Sequence, residues 1–255
     1  MSTVEDPAAG VAWLTPDWPA PDGVRAASTT RAGGVSHAPY TSLNLGAHVD
    51  DDPAAVAANR ARLRQRLKLP DEPRWIGQVH GAIVVDAVAA PEGCPADGAY
   101  SLRPGVVCAV LTADCLPMLL CARDGTRVAA VHAGWRGLAA GVIEAAVDAL
   151  GVPGEDVLAW LGPAIGPQAF EVGDEVRQLF LRHDRSAEQA FRPSPAGRWW
   201  ADIYQLARQR LHGRDVHAVY GGEWCTYRDA GRFFSYRRDG VTGRMASLIW
   251  IEENG

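Results

Sequence analysis

The segment between Arg74 and His132 limits the fold of this chain most strongly, because it holds a series of short apolar stretches without a helical period. Several of these stretches are apolar on both faces, which is typical of buried strands. We predict five strands here, over Arg74–His80, Ile83–Val88, Val106–Thr112, Leu116–Ala122 and Arg127–His132. Strands of this kind require other elements over both faces, so the sheets are expected to lie inside the protein.

Helix patterns flank this strand-rich segment on both sides. Asp51 or Asp52 can cap a helix that has Pro53 at its first position and runs to about Lys68. Further helices are predicted over residues 138–150, 173–183 and 203–213, and further strands over 23–30, 157–161, 215–220, 232–237 and 244–251. This order predicts an α+β fold, a single domain with mixed β-sheets and flanking helices. Residues 1–23 are rich in proline and lack periodicity, so we expect a loose N-terminal arm (1–23) before one domain over 24–255.

Charge and composition exclude several classes of protein. The chain has 25 basic and 30 acidic residues, a net charge of −5, which argues against a nucleic-acid binder. The longest apolar stretch is broken by Asp114 and Pro117, so no membrane span is expected. Five cysteines, an odd number in a chain of 255 residues, do not indicate a disulfide framework. With no recognisable signal peptide, we expect a cytoplasmic protein with reduced thiols. The sequence leaves the oligomeric state open, with a monomer as the working expectation.

His80, Cys115 and His132 each end a predicted strand or lie at a strand–loop junction. Three such ligands on separate strands suit a catalytic zinc, which keeps its fourth position open for water or substrate. Two other interpretations remain. Cys115 can be a buried core thiol beside two hydrogen-bonded loop histidines, or Cys115 and His132 can form a thiolate–imidazole pair for nucleophilic attack on an amide.

A glycine-rich loop over residues 134–137 links a predicted strand to a helix, and is the best candidate for binding an anion. Arg136 in this loop would add a charged group that suits phosphate, although a tight turn with a surface arginine is equally compatible with the sequence. Arg31 and Asn44 lie in polar, glycine-rich loops and are candidate substrate-binding residues, although loops are also simply polar.

Three carboxylates and one further arginine complete the candidates. Asp114 precedes Cys115, so in an extended chain its side chain points away from the sulfur. Asp97 belongs to a predicted turn, and Glu171 can cap a helix or act as a general acid. Arg238 follows an aromatic run, where it can hold a base or sugar, or merely accompany core packing.

The motifs together resemble the laccase-domain family, once labelled multicopper polyphenol oxidase and now regarded as purine nucleoside phosphorylases, which includes the bacterial peptidoglycan editing factor. The matching segments span about Thr29 to Ser247, and include TTRAGGVS, PYTSLNLGAHVDDDP, QVHG, TADCLP, HAGWRGL, LGPAIGP, FEVG and FFSYRRDGVTGRMAS. The resemblance implies an α/β/β/α arrangement shared with cytotoxic-necrotizing-factor deamidases. It also implies one zinc ion held by His80, Cys115 and His132.

The activity that the resemblance implies is phosphorolysis of adenosine, inosine and methylthioadenosine, with adenosine deamination beside it. The partners would be purine nucleosides and phosphate, and the domain over 24–255 would be catalytic. Arg31, Asn44, Asp97, Arg136 and Arg238 are then substrate-binding candidates. Asp114 and Glu171 are then catalytic candidates.

Other functions stay open at this point. One alternative is an amide hydrolase that edits muramyl-peptide precursors of peptidoglycan, and another is a module that only binds purines or metal. Polyphenol oxidation is a third, when copper occupies the site, because such ligands bind copper more tightly than zinc. The seven histidines include no His-x-His pair, however, and a true multicopper oxidase needs such pairs.

Overall fold

Two six-stranded sheets form the centre of the protein in this computed structural model, which describes residues 3–4 and 10–253. The strands are β1 (Thr3–Val4), β2 (Trp13–Thr15), β3 (Val24–Thr29), β4 (Arg74–Trp75), β5 (Val84–Asp86), β6 (Gly98–Ser101), β7 (Cys108–Thr112), β8 (Leu116–Ala122), β9 (Val128–Ala133), β10 (Val157–Leu161), β11 (Glu171–Val172), β12 (Phe191–Pro193), β13 (Trp199–Ala201), β14 (Ala218–Gly221) and β15 (Met245–Ile251). The helices are α1 (Pro53–Leu67), α2 (Trp135–Ala140), α3 (Val142–Leu150), α4 (Asp174–His183), α5 (Ile203–His212) and α6 (Tyr236–Asp239), with 3₁₀ turns at Gly154–Asp156 and Arg185–Ala190.

The two large sheets pack face to face. The first has the strand order β1-β2-β3-β15-β7-β4, and the second has the order β14-β10-β8-β9-β6-β5. Val110 and Ile249 of the first sheet share one buried cluster with Leu119 and Leu158 of the second. The third sheet is small, with the order β11-β13-β12.

Helices cover the outer faces of this sandwich. On the first sheet, Leu63 of α1 packs against Leu111 and Leu248. On the second sheet, the apolar faces of α3 and α5 pack against residues such as Met118 in the largest core cluster. The α+β fold with mixed sheets between helical layers is therefore confirmed, while the likeness to the cytotoxic-necrotizing-factor deamidases stays a prediction.

Most predicted elements exist, and the exceptions have local causes. The helix predicted over 138–150 is two helices, because Gly141 adopts a φ of 97° and ends α2 before α3 begins. The strand predicted over 232–237 is wrong: Ser235 accepts a hydrogen bond from the Arg238 amide and caps α6 instead. The predicted strand at Arg74–His80 stops at Trp75, and His80 has a φ of 61°.

The loose arm predicted over residues 1–23 is corrected by the structure where that segment is described. Trp13–Thr15 pairs with β3 in antiparallel register and extends the first sheet. Val11, Ala12 and Leu14 are buried. Their burial against the sheet outweighs the disordering effect expected from the prolines. Separately, none of the described helices is long and apolar enough to cross a bilayer.

Candidate metal centre

Three sheet elements bring His80, Cys115 and His132 together. His132 lies in β9, Cys115 lies at the junction between β7 and β8, and His80 follows β4 on a loop. The β8–β9 register pairs Leu116 with Ala133, so Cys115 and His132 come close although 17 residues separate them. One ligand atom from each of the three side chains lies within 4.8 Å of the others. The Cys115 Sγ is 4.0 Å from His80 Nε2.

Asp97, which directly precedes β6, holds both histidines in place. Its Oδ1 lies 2.8 Å from His132 Nδ1 and accepts a hydrogen bond of 2.8 Å from the His80 amide. Its Oδ2 accepts hydrogen bonds from the amides of Gly81 and Val79. These bonds stabilise the left-handed backbone at His80, which costs about 1–3 kcal/mol for a residue with a side chain.

This position corrects the prediction that Asp97 contacts substrate. Its side chain is fully buried and its two oxygens face four hydrogen-bond donors. It therefore orients the His80 segment and the His132 ring on the side away from the pocket. Because Nδ1 of His132 is engaged by the carboxylate, Nε2 is left to bind a metal. A carboxylate behind a metal-binding imidazole also makes the ring a better ligand.

The cluster favours a thiolate at Cys115. Burial opposes ionisation of the thiol, but the charge of His132 and the hydrogen bonds of His132 and His80 outweigh it and lower the pKa of Cys115 to about 6. Burial likewise favours neutral His132, but the negative charge of Cys115 and the bond to Asp97 raise the pKa of His132 to about 9. For the side chains alone, these shifts favour a thiolate at Cys115 beside a protonated His132, and a bound metal ion would take the place of the proton on Nε2.

The donor set fits a zinc ion. Two imidazoles and a thiolate are common zinc ligands, and tetrahedral zinc places its sulfur and nitrogen donors about 3.5 Å apart. The observed 4.0 Å between Cys115 Sγ and His80 Nε2 is close to that separation. Gly134 adjoins all three residues: a Cβ there would lie 3.0 Å from Cys115 Sγ and 3.2 Å from His80 Cδ2. A larger residue at position 134 would therefore crowd the cluster.

A pocket with a volume of about 270 Å³ opens beside the cluster. Its wall is mostly apolar, with two arginines and one carboxylate among its polar groups. The lining residues are His80, Ala113, Asp114, Cys115, Trp135, Arg136, Ile165, Phe170, Ile203, Tyr236 and Arg237. Such a combination of apolar walls and few polar groups is typical of small-molecule sites.

Two of the predicted substrate or catalytic residues line this pocket. The guanidinium of Arg136 lies 4.3 Å above the ring of its neighbour Trp135. Asp114 adopts a φ of 98° and accepts hydrogen bonds of 2.6 Å from Thr226 Oγ1 and from the Arg237 amide. The anion prediction for the loop at 134–137 thus depends on Arg136, because α2 has only six residues.

The other predicted residues lie outside the pocket lining. Asn44 is fully buried and joins backbone groups of Gly46 and Arg244. Arg31 donates to the carbonyls of Thr41 and Ala230. These contacts place Asn44 and Arg31 in loop packing rather than at the pocket surface.

Arg238 and Glu171 also have other surroundings. Arg238 donates to the carbonyls of Thr226, Tyr227 and Phe233 and pairs with Asp239. Glu171 lies directly opposite Trp200 in the third sheet, so its side chain shares a face with that indole rather than with the pocket. The structure thus supports neither Arg238 as a pocket residue nor Glu171 as its general acid.

Arg237 and the aromatic lining residues Trp135, Phe170 and Tyr236 are not among the candidates that the sequence predicts. Arg237 donates from Nη1 to the Glu171 carbonyl at 2.9 Å, and its guanidinium lies 5.5 Å from the Phe170 ring. Arg244 is a further cation nearby: burial lowers its pKa, while the negative charges of Cys115 and Asp114 oppose this change. The available signal was the segment FFSYRRDGVTGRMAS, which contains both arginines, but the segment does not show which arginine faces the pocket.

Fold and site together define an α+β protein whose candidate metal centre opens on an apolar, arginine-bearing pocket. The family model described as "Multi-copper polyphenol oxidoreductase laccase" matches residues 25–252, and the chain belongs to this family. In the described part of the chain, His80, Cys115 and His132 are the one group of His, Cys, Asp or Glu that could hold a metal ion. That group offers a mononuclear centre rather than a multicopper cluster.

Similar proteins carry the name purine nucleoside phosphorylase. The protein of that name from Pseudomonas aeruginosa, PA4543, is 61% identical over 243 residues, which cover 95% of this chain and 99% of that one. Escherichia coli YfiH, also so named, is 55% identical over 239 residues, covering 93% of this chain and 98% of that one.

Solved structures show the same fold. Neisseria meningitidis NMB0706 has a TM-score of 0.91 and 50% identity, and covers 94% of this chain and 99% of its own. YlmD from Geobacillus stearothermophilus has a TM-score of 0.89 and 32% identity, over 99% of this chain and 100% of its own.

Proposed function

We propose that this protein is a zinc-dependent purine nucleoside phosphorylase that acts on adenosine, inosine and methylthioadenosine, with adenosine deamination as a side activity. The observation that carries the proposal is the juxtaposition of the His–Cys–His cluster with an apolar pocket that contains two arginines. The names of the relatives from P. aeruginosa and E. coli support it.

The pocket walls suit the parts of a nucleoside and a phosphate. Trp135, Phe170 and Tyr236 offer aromatic surface for the flat purine. Arg136 and Arg237 offer guanidinium groups that match phosphate oxygens in geometry and charge. A zinc ion, when bound, would supply a Lewis acid at the edge of this pocket.

Asp114 is the carboxylate that we assign to proton transfer with the purine. It lines the pocket, whereas Glu171 does not. Its Oδ2 also accepts a hydrogen bond from the backbone amide of Arg237, which fixes the carboxylate beside the arginine side of the pocket. A positioned general acid of this kind contributes typically about 10²–10⁴-fold to a rate.

The test is a chromatographic assay of zinc-loaded protein with adenosine, with and without phosphate. Phosphorolysis gives adenine and ribose 1-phosphate at a rate that follows the phosphate concentration, and deamination gives inosine without phosphate. Free ribose released at the same rate without phosphate would show hydrolysis instead. Elemental analysis of the same sample should give about one zinc ion per chain.

A second candidate function is amide hydrolysis by Cys115, on substrates such as muramyl peptides. The specific observation is the series Cys115, His132 and Asp97, in which a thiolate-favouring sulfur, an imidazole and a buried carboxylate lie in contact. Such a series is typical of cysteine nucleophiles activated by a base and an orienting group.

Alkylation separates the two functions. A metal-bound thiolate has most of its charge neutralised, so iodoacetamide should label Cys115 slowly in the zinc-loaded protein and faster after chelation. Zinc removal should abolish phosphorolysis, and zinc returned before alkylation should restore it. Full phosphorolysis in the chelated protein would overturn the zinc mechanism. Hydrolysis of a muramyl peptide by the chelated protein, lost on alkylation, would establish the cysteine mechanism.

A further inference from the structure

A second cavity, with a volume of about 310 Å³, lies against the third sheet and shares no lining residue with the metal pocket. Its wall includes Trp200, Arg192 and three glutamines, Gln168, Gln189 and Gln205. None of these residues has a part in the proposed phosphorolysis. The cavity therefore requires an explanation of its own.

The third sheet arranges three different side chains in one row. Its antiparallel register pairs Glu171 with Trp200 and Trp200 with Arg192. Residues directly opposite each other in a sheet share a face, so a carboxylate, an indole and a guanidinium follow one another across it. Glu171 lies next to the cavity lining, at the end of the row opposite Arg192.

The carboxylate of Asp202, which also lines the cavity, accepts hydrogen bonds from the amides of Tyr204 and Gln205. The other polar side chains of this region have no partners within the described residues. Neither Glu171 nor Arg192 forms an ion pair there. They do not reach each other, since two strand spacings of about 4.8 Å keep their backbones about 10 Å apart. The side-chain amides of Gln168, Gln189 and Gln205 make no hydrogen bond to any residue that the structure describes. Four polar side chains of the lining, with Glu171 beside them, are thus available to a ligand around one aromatic ring.

We propose that this cavity binds adenosine monophosphate. Adenine stacks on Trp200, the glutamine amides contact the edge of the base, Glu171 accepts a hydrogen bond from the exocyclic amino group, and Arg192 binds the phosphate. Each contact follows ordinary chemistry: bases stack on indoles, glutamine pairs with the adenine edge, and guanidinium binds phosphate bidentately.

The spacing and the order of charges select this ligand class. The backbones of Glu171 and Arg192 lie about 10 Å apart, so a ligand that contacts both side chains needs a group at each of its ends. A nucleoside monophosphate has two such ends, whereas a free base or a free phosphate has one. The ligand must also carry hydrogen-bond donors at one end and negative charge at the other. Adenosine monophosphate has both, whereas inosine monophosphate lacks the amino group that Glu171 would accept from.

The test is calorimetric titration of the full-length zinc-loaded protein with adenosine monophosphate. We expect saturable binding that Arg192→Ala and Trp200→Ala each weaken about tenfold or more, because each removes a charged or stacking contact. Trp200→Phe should restore much of the affinity. Arg198→Ala, which removes an exposed arginine of the same hairpin, is the matched control and should leave affinity unchanged. Thermal melts of each variant verify folding.

Other titrants decide between ligands and between sites. Inosine monophosphate should bind more weakly than adenosine monophosphate to the wild type but equally to Glu171→Gln. Binding that Arg136→Ala weakens and Trp200→Ala does not would place the nucleotide in the metal pocket and overturn the proposal. So would absence of binding at millimolar nucleotide, or preferential binding of N-acetylglucosamine. Calorimetry needs no turnover, so these results are independent of whether the protein is a phosphorylase.

Discussion

The two sides of the metal pocket are built in different ways. On the ligand side, His132 in β9 and Asp97, directly before the adjacent strand β6, are both buried, and hydrogen bonds saturate the carboxylate between them. On the arginine side, Arg136 and the 61% exposed Tyr236 lie on the short helices α2 and α6. Residues with few buried contacts open locally at low free energy, whereas core strands do not. The ligand side thus fixes the chemistry, and the arginine side can adjust to a substrate.

The largest effect should come from the ligand side. Cys115→Ser removes the thiolate whose charge partly neutralises the ion, so zinc content measured by elemental analysis should fall from about one per chain to near zero. Phosphorolysis should be lost with it. The circular dichroism spectrum should remain that of the wild type, because the cluster lies at the edge of an intact core. Retention of full zinc content would contradict our ligand assignment.

A smaller loss of metal affinity is expected at Asp97, which contacts the ligands rather than the metal. Asp97→Asn keeps the shape of the side chain but removes the charge that orients His132 and binds the His80 loop. Replacement of such outer partners typically weakens metal binding about 10- to 100-fold. Competition with a chelator measures this change, and unchanged affinity would show that the two sides are not as different as we describe.

On the arginine side, binding of substrate should change while metal binding does not. Arg237→Ala should raise the KM for phosphate about tenfold, because it removes a charged hydrogen-bond donor from the pocket wall. Zinc content should stay at the wild-type value. If zinc content fell instead, the arginine side would be part of the metal scaffold.

The smallest effect is expected at Arg31, whose guanidinium is engaged by two backbone carbonyls outside the pocket lining. Arg31→Ala should leave the KM for phosphate within about twofold of the wild type, since it removes no pocket group. Steady-state kinetics at varied phosphate measure this value. A rise as large as that of Arg237→Ala would return Arg31 to the phosphate site.

The sequence predicts the elements best where a pattern is continuous and its ends are marked. The strands at 116–122 and 157–161 have the predicted bounds, and α1 begins at Pro53 after its Asp52 cap. The third sheet was missed because its strands have only two or three residues each, too few to show an alternation. Helix α6 was missed because a buried aromatic run before it resembles a strand.

For the site, whether a predicted residue faces the pocket depends on the orientation of that single side chain. The three candidate ligands are residue types that rarely meet except around a metal or a nucleophile, so their positions at strand ends were informative. Arg237 and Arg238 are neighbours on one helical turn, where successive side chains point about 100° apart, so only one can face the pocket. In the same way Phe170 lines the pocket while Glu171, next along the chain, does not. Long-range contacts of the backbone decide these orientations, and no local pattern records them.

The bonds that Asp97 makes to both histidine segments have a consequence for which metal the protein carries. A cluster whose geometry is set in advance by a buried carboxylate does not use the ion to fold, so it has little means of rejecting a wrong one through misfolding. Histidine and thiolate donors hold copper more tightly than zinc. If the proposed metal site is right, we expect the bound metal to depend on the free copper and zinc concentrations in the compartment or growth medium. We therefore expect this protein, when prepared from cells grown with different metal supplies, to contain different metals and to show different activities in assays.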